Sequence, residues 1–182
     1  MMKSFPSGLP LSGLALPGLA IAAAIYLADQ LFKGWVLGGL DLPRTGPIEV
    51  LPFFDLRYVE NPGVSLGMLT AETDTARWLL VAMTAAIALG VLVWLLREKA
   101  WPEIVGLGMV LGGALGNIHD RVQLGYVVDY ADLHFGAFRP FFIFNIADAA
   151  ISIGVVIILA RSLFSREKPQ AAAHAGGTAA ES

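Results

Sequence analysis

Nineteen consecutive residues, Trp78–Leu96, carry no charge, and Thr84 is the one hydroxyl among their apolar side chains. As a helix this run is about 28 Å long, close to the hydrocarbon thickness of a bilayer. It is apolar all round, so it has no polar face to turn to water. Three further stretches resemble it, at 14–36, 102–120 and 141–163. Across the 182 residues, 56% are hydrophobic and 15% charged. A soluble chain of this size could not bury that much apolar surface. There is no Cys, which excludes disulfides, thiol catalysis and zinc–thiolate sites. A net charge of −3 gives no footing for nucleic-acid binding. The expected fold class is therefore an all-α membrane protein with four transmembrane helices. These form one integral membrane domain over 1–168, with a disordered Ala- and Gly-rich tail at 169–182.

The connections are unequal. Residues 37–70 contain two strand-like runs, Ile48–Phe54 and Leu56–Glu60, punctuated by Pro43, Pro47, Pro52, Pro62 and Gly63. They predict a small β-cradle on the membrane surface. A second extracytoplasmic loop, Arg121–Pro140, holds one short strand at Tyr126–Tyr130. Four spans put both termini on one side. The 12 Lys and Arg divide evenly between the two faces, but the short basic turn at 97–99 and the basic stretch after the fourth span favour cytoplasmic termini. The first span runs too far, and carries charges at its far end, for a cleaved leader behind Lys3. No internal repeat is visible, which argues against inverted-repeat transporters.

Ionisable groups in hydrocarbon each cost on the order of 2.5–3.5 kcal/mol on insertion scales. Here Asp29, Lys33, Asn117, Asp120, Arg121, Asp129, Asn145 and Asp148 gather at the span ends that face the two loops. Asp29 and Lys33 are spaced i, i+4 as a helix-end salt bridge. Asp120 beside Arg121 reads as a structural ion pair. Asn145 and Asp148, three apart, share a face of the fourth helix. Asp129 and Asp148 have no cation beside them in sequence. Two such buried carboxyls must share a proton or find other partners. Three readings stay open: a catalytic dyad, a proton- or cation-binding pair in a membrane carrier, or ordinary hydrogen-bonded residues. His119–Asp120 and Asp132–His134 lack helical ligand spacing, so no metal site is expected. Gly112, Gly113 and Gly116 read as close helix packing rather than a phosphate loop.

Four motifs carry a resemblance: Glu60-Asn61-Pro62-Gly63-Val64-Ser65-Leu66-Gly67-Met68, Gly112–Arg121, Gly125-Tyr126-Val127-Val128-Asp129-Tyr130, and Phe144-Asn145-Ile146-Ala147-Asp148-Ala149-Ala150-Ile151. With Asp29-Gln30-x-x-Lys33 they cover about residues 20–165 in order and spacing. The chain resembles the lipoprotein signal peptidase (signal peptidase II) family of bacteria. That resemblance implies an intramembrane aspartyl endopeptidase that needs no cofactor. Such an enzyme sits in the cytoplasmic (inner) membrane as a multi-pass protein, with its site near the outer face. It removes the signal peptide of diacylglyceryl-modified prolipoproteins, cutting N-terminal to the lipidated Cys. Motif by motif, it implies a catalytic Asp129 and Asp148. Asn61, Gly63, Asn117, Arg121 and Asn145 would line the site, and Asp29 with Lys33 would form the first-helix pair. Implied partners are the diacylated prolipoprotein, membrane lipid and globomycin-type inhibitors, with the chain acting as a monomer. Pro62, Ser65, Leu66 and Ala149 depart from the commonest residues, which bears on substrate fit rather than on the reaction.

Overall fold

The structure, a computed structural model, describes residues 15–63 and 74–164. Lys3, the motif residues 64–68 and the tail at 169–182 lie outside the described residues. Helix α1 (Ala15–Gly34) runs on through a π-helical turn, Trp35–Gly39, into a four-residue helix α2 (Leu42–Thr45). Strands β1 (Ile48–Leu51) and β2 (Phe54–Asn61) follow, then the long helices α3 (Asp74–Arg97) and α4 (Trp101–Gln123). Strand β3 (Val127–Leu133) leads to the last helix, α5 (Ile146–Phe164).

Helix α4 packs against α1, α3 and α5, and its glycines are what let it do so. A Cβ on Gly108 or Gly112 would run into the backbone oxygens of Gly18 and Ala22 on α1, at 2.7 and 2.5 Å. On the other side, a Cβ on Gly106 would meet Gly154 O of α5 at 2.8 Å, and one on Gly113 would collide with Ala147 O. Two glycine seams thus bring three backbones together without a layer of side chains between them. The close-packing expectation for Gly112, Gly113 and Gly116 holds. Ala22, Ala88, Leu95, Ile104, Leu107 and Leu111 fill the remaining core of the bundle.

Three helical stretches, 15–39, 74–97 and 146–164, are long and apolar enough to cross a membrane. The stretch expected at 102–120 is a helix of 23 residues, yet it falls short of the same apolarity. Glycine replaces leucine along its seams because it faces other helices, and its C-terminal turns carry Asn117, His119, Asp120 and Arg121. Four equivalent apolar spans are not what the structure contains. The four tryptophans stand at helix ends: Trp35 and Trp78 at the end bearing the sheet, Trp94 and Trp101 at the other.

The sheet has the order β1-β2-β3 and is antiparallel throughout. Its third strand comes from the second loop, so the two loops expected as separate features form one sheet. β3 is also longer than the Tyr126–Tyr130 run. A cluster of Val36, Leu42, Leu56, Val128, Tyr130 and Ala131 fixes this sheet to the π-helical turn and α2. The register of β2 on β3 shifts between Leu56 and Val59. Beyond the shift, Val59 pairs with Asp129 and Asn61 with Val127, which sets Asn61 diagonally next to Asp129 on one face.

Candidate active site

The N-terminus of α5 needs four acceptors for its first backbone N–H groups, and all four are supplied by side chains or backbone nearby. Ile146 N donates to Tyr130 Oη (3.1 Å) and Ala147 N to Asp29 Oδ1 (3.0 Å). Asp148 N donates to Asn145 Oδ1 (2.9 Å), and Ala149 N makes the first intrahelical bond, to Asn145 O (3.2 Å). Asp148 returns the favour: its Oδ2 accepts the backbone N–H of Asn145 at 3.2 Å. Asn145 and Asp148 therefore form a reciprocal capping box. Their three-residue spacing reflects this cap, and not a shared face of a helix as the spacing alone predicted. This is also why α5 begins at Ile146 while the apolar run starts at Phe141. Phe144 is held instead by Ala131 of β3, through backbone bonds of 2.8 and 3.1 Å.

With its oxygen committed to the cap, the Asn145 amide nitrogen faces the other way. It donates to Asp129 Oδ1 at 2.7 Å and lies 3.3 Å from both Val128 O and Asn117 Oδ1. One asparagine thus bridges the two carboxyls, binding Asp148 through its backbone and Asp129 through its side chain. The second Asp129 oxygen accepts from Asn61 Nδ2 at 3.0 Å. Asn61 is oriented by its own Oδ1, which accepts Gly63 N at 3.1 Å. Gly63 has φ +148°, a backbone setting that side-chain-bearing residues avoid. Asp148 Oδ1 accepts from Asn117 Nδ2 at 2.8 Å.

Asp129 is 2% exposed, whereas Asp148 is only half-buried. Burial, and then the negative charge of Asp148, push the Asp129 carboxyl up from the usual 3.8 to about 6; the Asn61 and Asn145 hydrogen bonds pull the other way. An interior carboxyl that holds its proton nearly to neutrality, beside a second carboxyl, can give and take a proton in one cycle.

Behind this pair lies a second set of charges. Lys33 Nζ sits 2.7 Å from Asp29 Oδ2 and 2.8 Å from Asp120 Oδ2, and donates to Asn117 Oδ1 at 3.3 Å. Asp120 pairs with Lys33 and not with Arg121, correcting the expected Asp120–Arg121 ion pair. Adjacent residues on a helix point about 100° apart and do not face each other. The Asp29–Lys33 pair is present as expected. Gln30 closes the set by donating to Asp29 Oδ2, Asp120 Oδ1 and Gly116 O at 3.0–3.3 Å. Gly116 has to be glycine here, because a Cβ would stand 2.5 Å from Asp29 Oδ2. Arg121 lies within the fields of Asp148, Asp129 and Asp120, and its buried Nε has no hydrogen-bond partner among the described residues.

The structure thus gathers Asp29, Lys33, Asn61, Gly63, Asn117, Arg121, Asp129, Asn145 and Asp148 at one end of the bundle. Asp120 and Tyr130 belong with them and were not singled out as site residues, and Gln30 braces the ion cluster behind them. Asp120 was assigned to the wrong partner, while Gln30 and Tyr130 show no sequence signal beyond lying within the motifs. Asp132, by contrast, faces away towards Arg57 and Arg139, and His134 lies beside Asp55.

The model of the signal peptidase (SPase) II family matches residues 21–164. The lipoprotein signal peptidase of Rhizorhabdus wittichii is 54% identical over 150 residues, which are 82% of this chain and 87% of that protein. That of Sphingopyxis alaskensis is 52% identical over 151 residues, 83% of this chain and 87% of the other. A solved structure described as a bacterial membrane enzyme superposes with a TM-score of 0.72 at 26% identity, over 91% of this chain and 99% of its own. With the family model matched from α1 to the end of α5, this chain is a membrane protein that belongs to the signal peptidase II family.

Proposed function

We propose that the chain is an intramembrane aspartyl endopeptidase that removes signal peptides from diacylglyceryl-modified prolipoproteins. It cuts on the N-terminal side of the lipidated Cys, with Asp129 and Asp148 as the catalytic pair. The observation that carries this reading is the Asn145 bridge, which holds two carboxyls of different burial together at the sheet-bearing end of the bundle. Family membership supports the substrate class.

In this mechanism the pair holds a single proton, on Asp129. Asp148 takes a proton from a water, whose oxygen bonds to the scissile carbonyl carbon. Asp129 gives its proton to the carbonyl oxygen, leaving a neutral tetrahedral diol. Collapse of the diol returns a proton to Asp129, and Asp148 passes the other to the leaving nitrogen as the C–N bond breaks. The products are a new carboxyl terminus and the free amine of the lipidated Cys. Arg121, whose buried Nε has no partner among the described residues, binds a substrate carbonyl in this mechanism. The sheet lays the peptide out in extended form by backbone hydrogen bonding, and the substrate's acyl chains stay in the bilayer, which aligns the bond to be cut.

All four long helices span the bacterial inner membrane in this reading, with α4 packed against each of the other three. Trp35 and Trp78 mark the outer interface and Trp94 and Trp101 the inner one, so both termini are cytoplasmic. The chain works as a monomer, and globomycin-type inhibitors block the same carboxyls.

The test is cleavage of a diacylated lipobox peptide by the purified protein. Asp129→Asn and Asp148→Asn should remain folded and lose cleavage, and wild-type rates from either would reject the pair. Intact peptide combined with solute flux in vesicles would point to a proton-coupled carrier instead. The alkaline limb of kcat/KM should fall at or above about pH 6, where Asp129 loses its proton. A flat profile from pH 5 to 9 would contradict the shared proton.

A further inference from the structure

We propose that Lys33 is a positioning residue for Asp148, acting through Asn117: it fixes which end of the Asn117 amide meets the carboxyl. This rests on the aspartyl reading above and adds a residue of α1 to it. The Lys33 ammonium has three N–H donors, and three acceptors converge on it: Asp29 Oδ2 at 2.7 Å, Asp120 Oδ2 at 2.8 Å and Asn117 Oδ1 at 3.3 Å. Its donors are fully used, and the third one holds the Asn117 oxygen. With the oxygen held, the amide nitrogen has to face Asp148 Oδ1, to which it donates at 2.8 Å.

Asn145 cannot do this work alone. Its amide nitrogen has two hydrogens and three acceptors within 3.3 Å, the shortest being Asp129 Oδ1 at 2.7 Å, so Asn117 Oδ1 receives only a share. Without Lys33, a flipped Asn117 would set its oxygen against Asp148 Oδ1, two acceptors face to face, and the shared proton would move from Asp129 to Asp148 to relieve it. The charged groups around Lys33 are Asp29 on α1, Asp120 on α4 and, at longer range, Asp129 on β3. Asp148 on α5 is reached through Asn117, and Arg121 of α4 acts on both catalytic carboxyls. None of these can replace the bond to Asn117, because the acids only accept and Arg121 lies on the carboxyl side.

The experiment uses the full chain in detergent or liposomes with a diacylated lipobox peptide. Lys33→Met leaves Asp29 and Asp120 without their cation and risks misfolding, so Lys33→Arg is made beside it. The arginine keeps the charge between the two acids, but its planar fork does not match three acceptors converging on one point. Folded Lys33→Arg should lose at least tenfold in kcat with KM within about twofold, and the alkaline midpoint of its pH–rate profile should shift. Gln30→Met, which touches Asp29 and Asp120 but not Asn117, should lower stability and leave kcat per folded molecule unchanged. Lys33→Arg with wild-type kcat and pH profile would overturn the proposal. So would an equal kcat loss in Gln30→Met, since the effect would then belong to the ion cluster as a whole. Asp148→Asn, run alongside, separates the two levels. If it cleaves normally the aspartyl reading fails; if it is inactive while Lys33→Arg is fully active, only the role of Lys33 fails.

Discussion

Two pairs of aspartates lie in the same interior, and what stands between them differs. Lys33 separates Asp29 from Asp120, and Asn145 separates Asp129 from Asp148. In the first pair, each carboxyl oxygen has a donor: Lys33, Gln30, Ala147 N or Val128 N. A cation and fixed N–H groups satisfy every oxygen of these carboxylates. In the second pair the bridge is neutral, so two like charges face each other and a proton is retained. Chemically identical side chains thus stand in two different electrostatic settings, according to whether the group between them carries a charge.

The same Asp→Asn change at the different sites breaks or sharpens that contrast. The largest effect is expected at Asp129 and Asp148, where it should remove roughly 10²–10⁴-fold of cleavage activity from a protein that still folds. At Asp29 it should instead cost stability, on the order of 2–3 kcal/mol. That is below the roughly 3–5 kcal/mol of an isolated buried pair, because Asp120 still faces Lys33. Chemical denaturation should show this loss, with activity per folded molecule retained. An inactive but fully stable Asp29→Asn would erase the distinction between the pairs.

Asp129 also predicts a pH-dependent stability. Its carboxyl is raised in the folded state from 3.8 to about 6, so it favours folding fully below about pH 4 and that contribution is lost as pH rises through 6. The swing is up to about 3 kcal/mol. Asp129→Asn should therefore raise Tm more at pH 8 than at pH 4, relative to wild type. Equal shifts at both pH values would mean that the carboxyl is not perturbed. The smallest effect expected is from Gly113→Ala, about 1–3 kcal/mol. Its added methyl presses on Ala147 O, next to Asp148, so kcat should fall along with Tm.

What the sequence made legible was local. The bilayer-length run at 78–96, the glycine seams of α4 and the i, i+4 pair Asp29–Lys33 follow from periodicities of a few residues, and the structure contains each. The motif order carried the family, and with it the site residues. Long-range pairings were out of reach: nothing near Asn61 announces that β2 lies against a strand some seventy residues later, and nothing near Asp120 points to Lys33. Adjacency misled at Asp120–Arg121, since a helix turns neighbours apart. Spacing misled at Asn145–Asp148 for a different reason, because three residues apart is shared by a helix face and by a cap, and only the first backbone bonds of α5 tell them apart.

That cap has a consequence for any molecule that would bind Asp148. Because Asp148 closes the first turn of its own helix, turning its side chain away from an incoming compound strips an acceptor from Asn145 N and frays the end of α5. A ligand that grips both oxygens therefore competes with the helix for them, and a substitution that removes the acceptor loosens the start of α5.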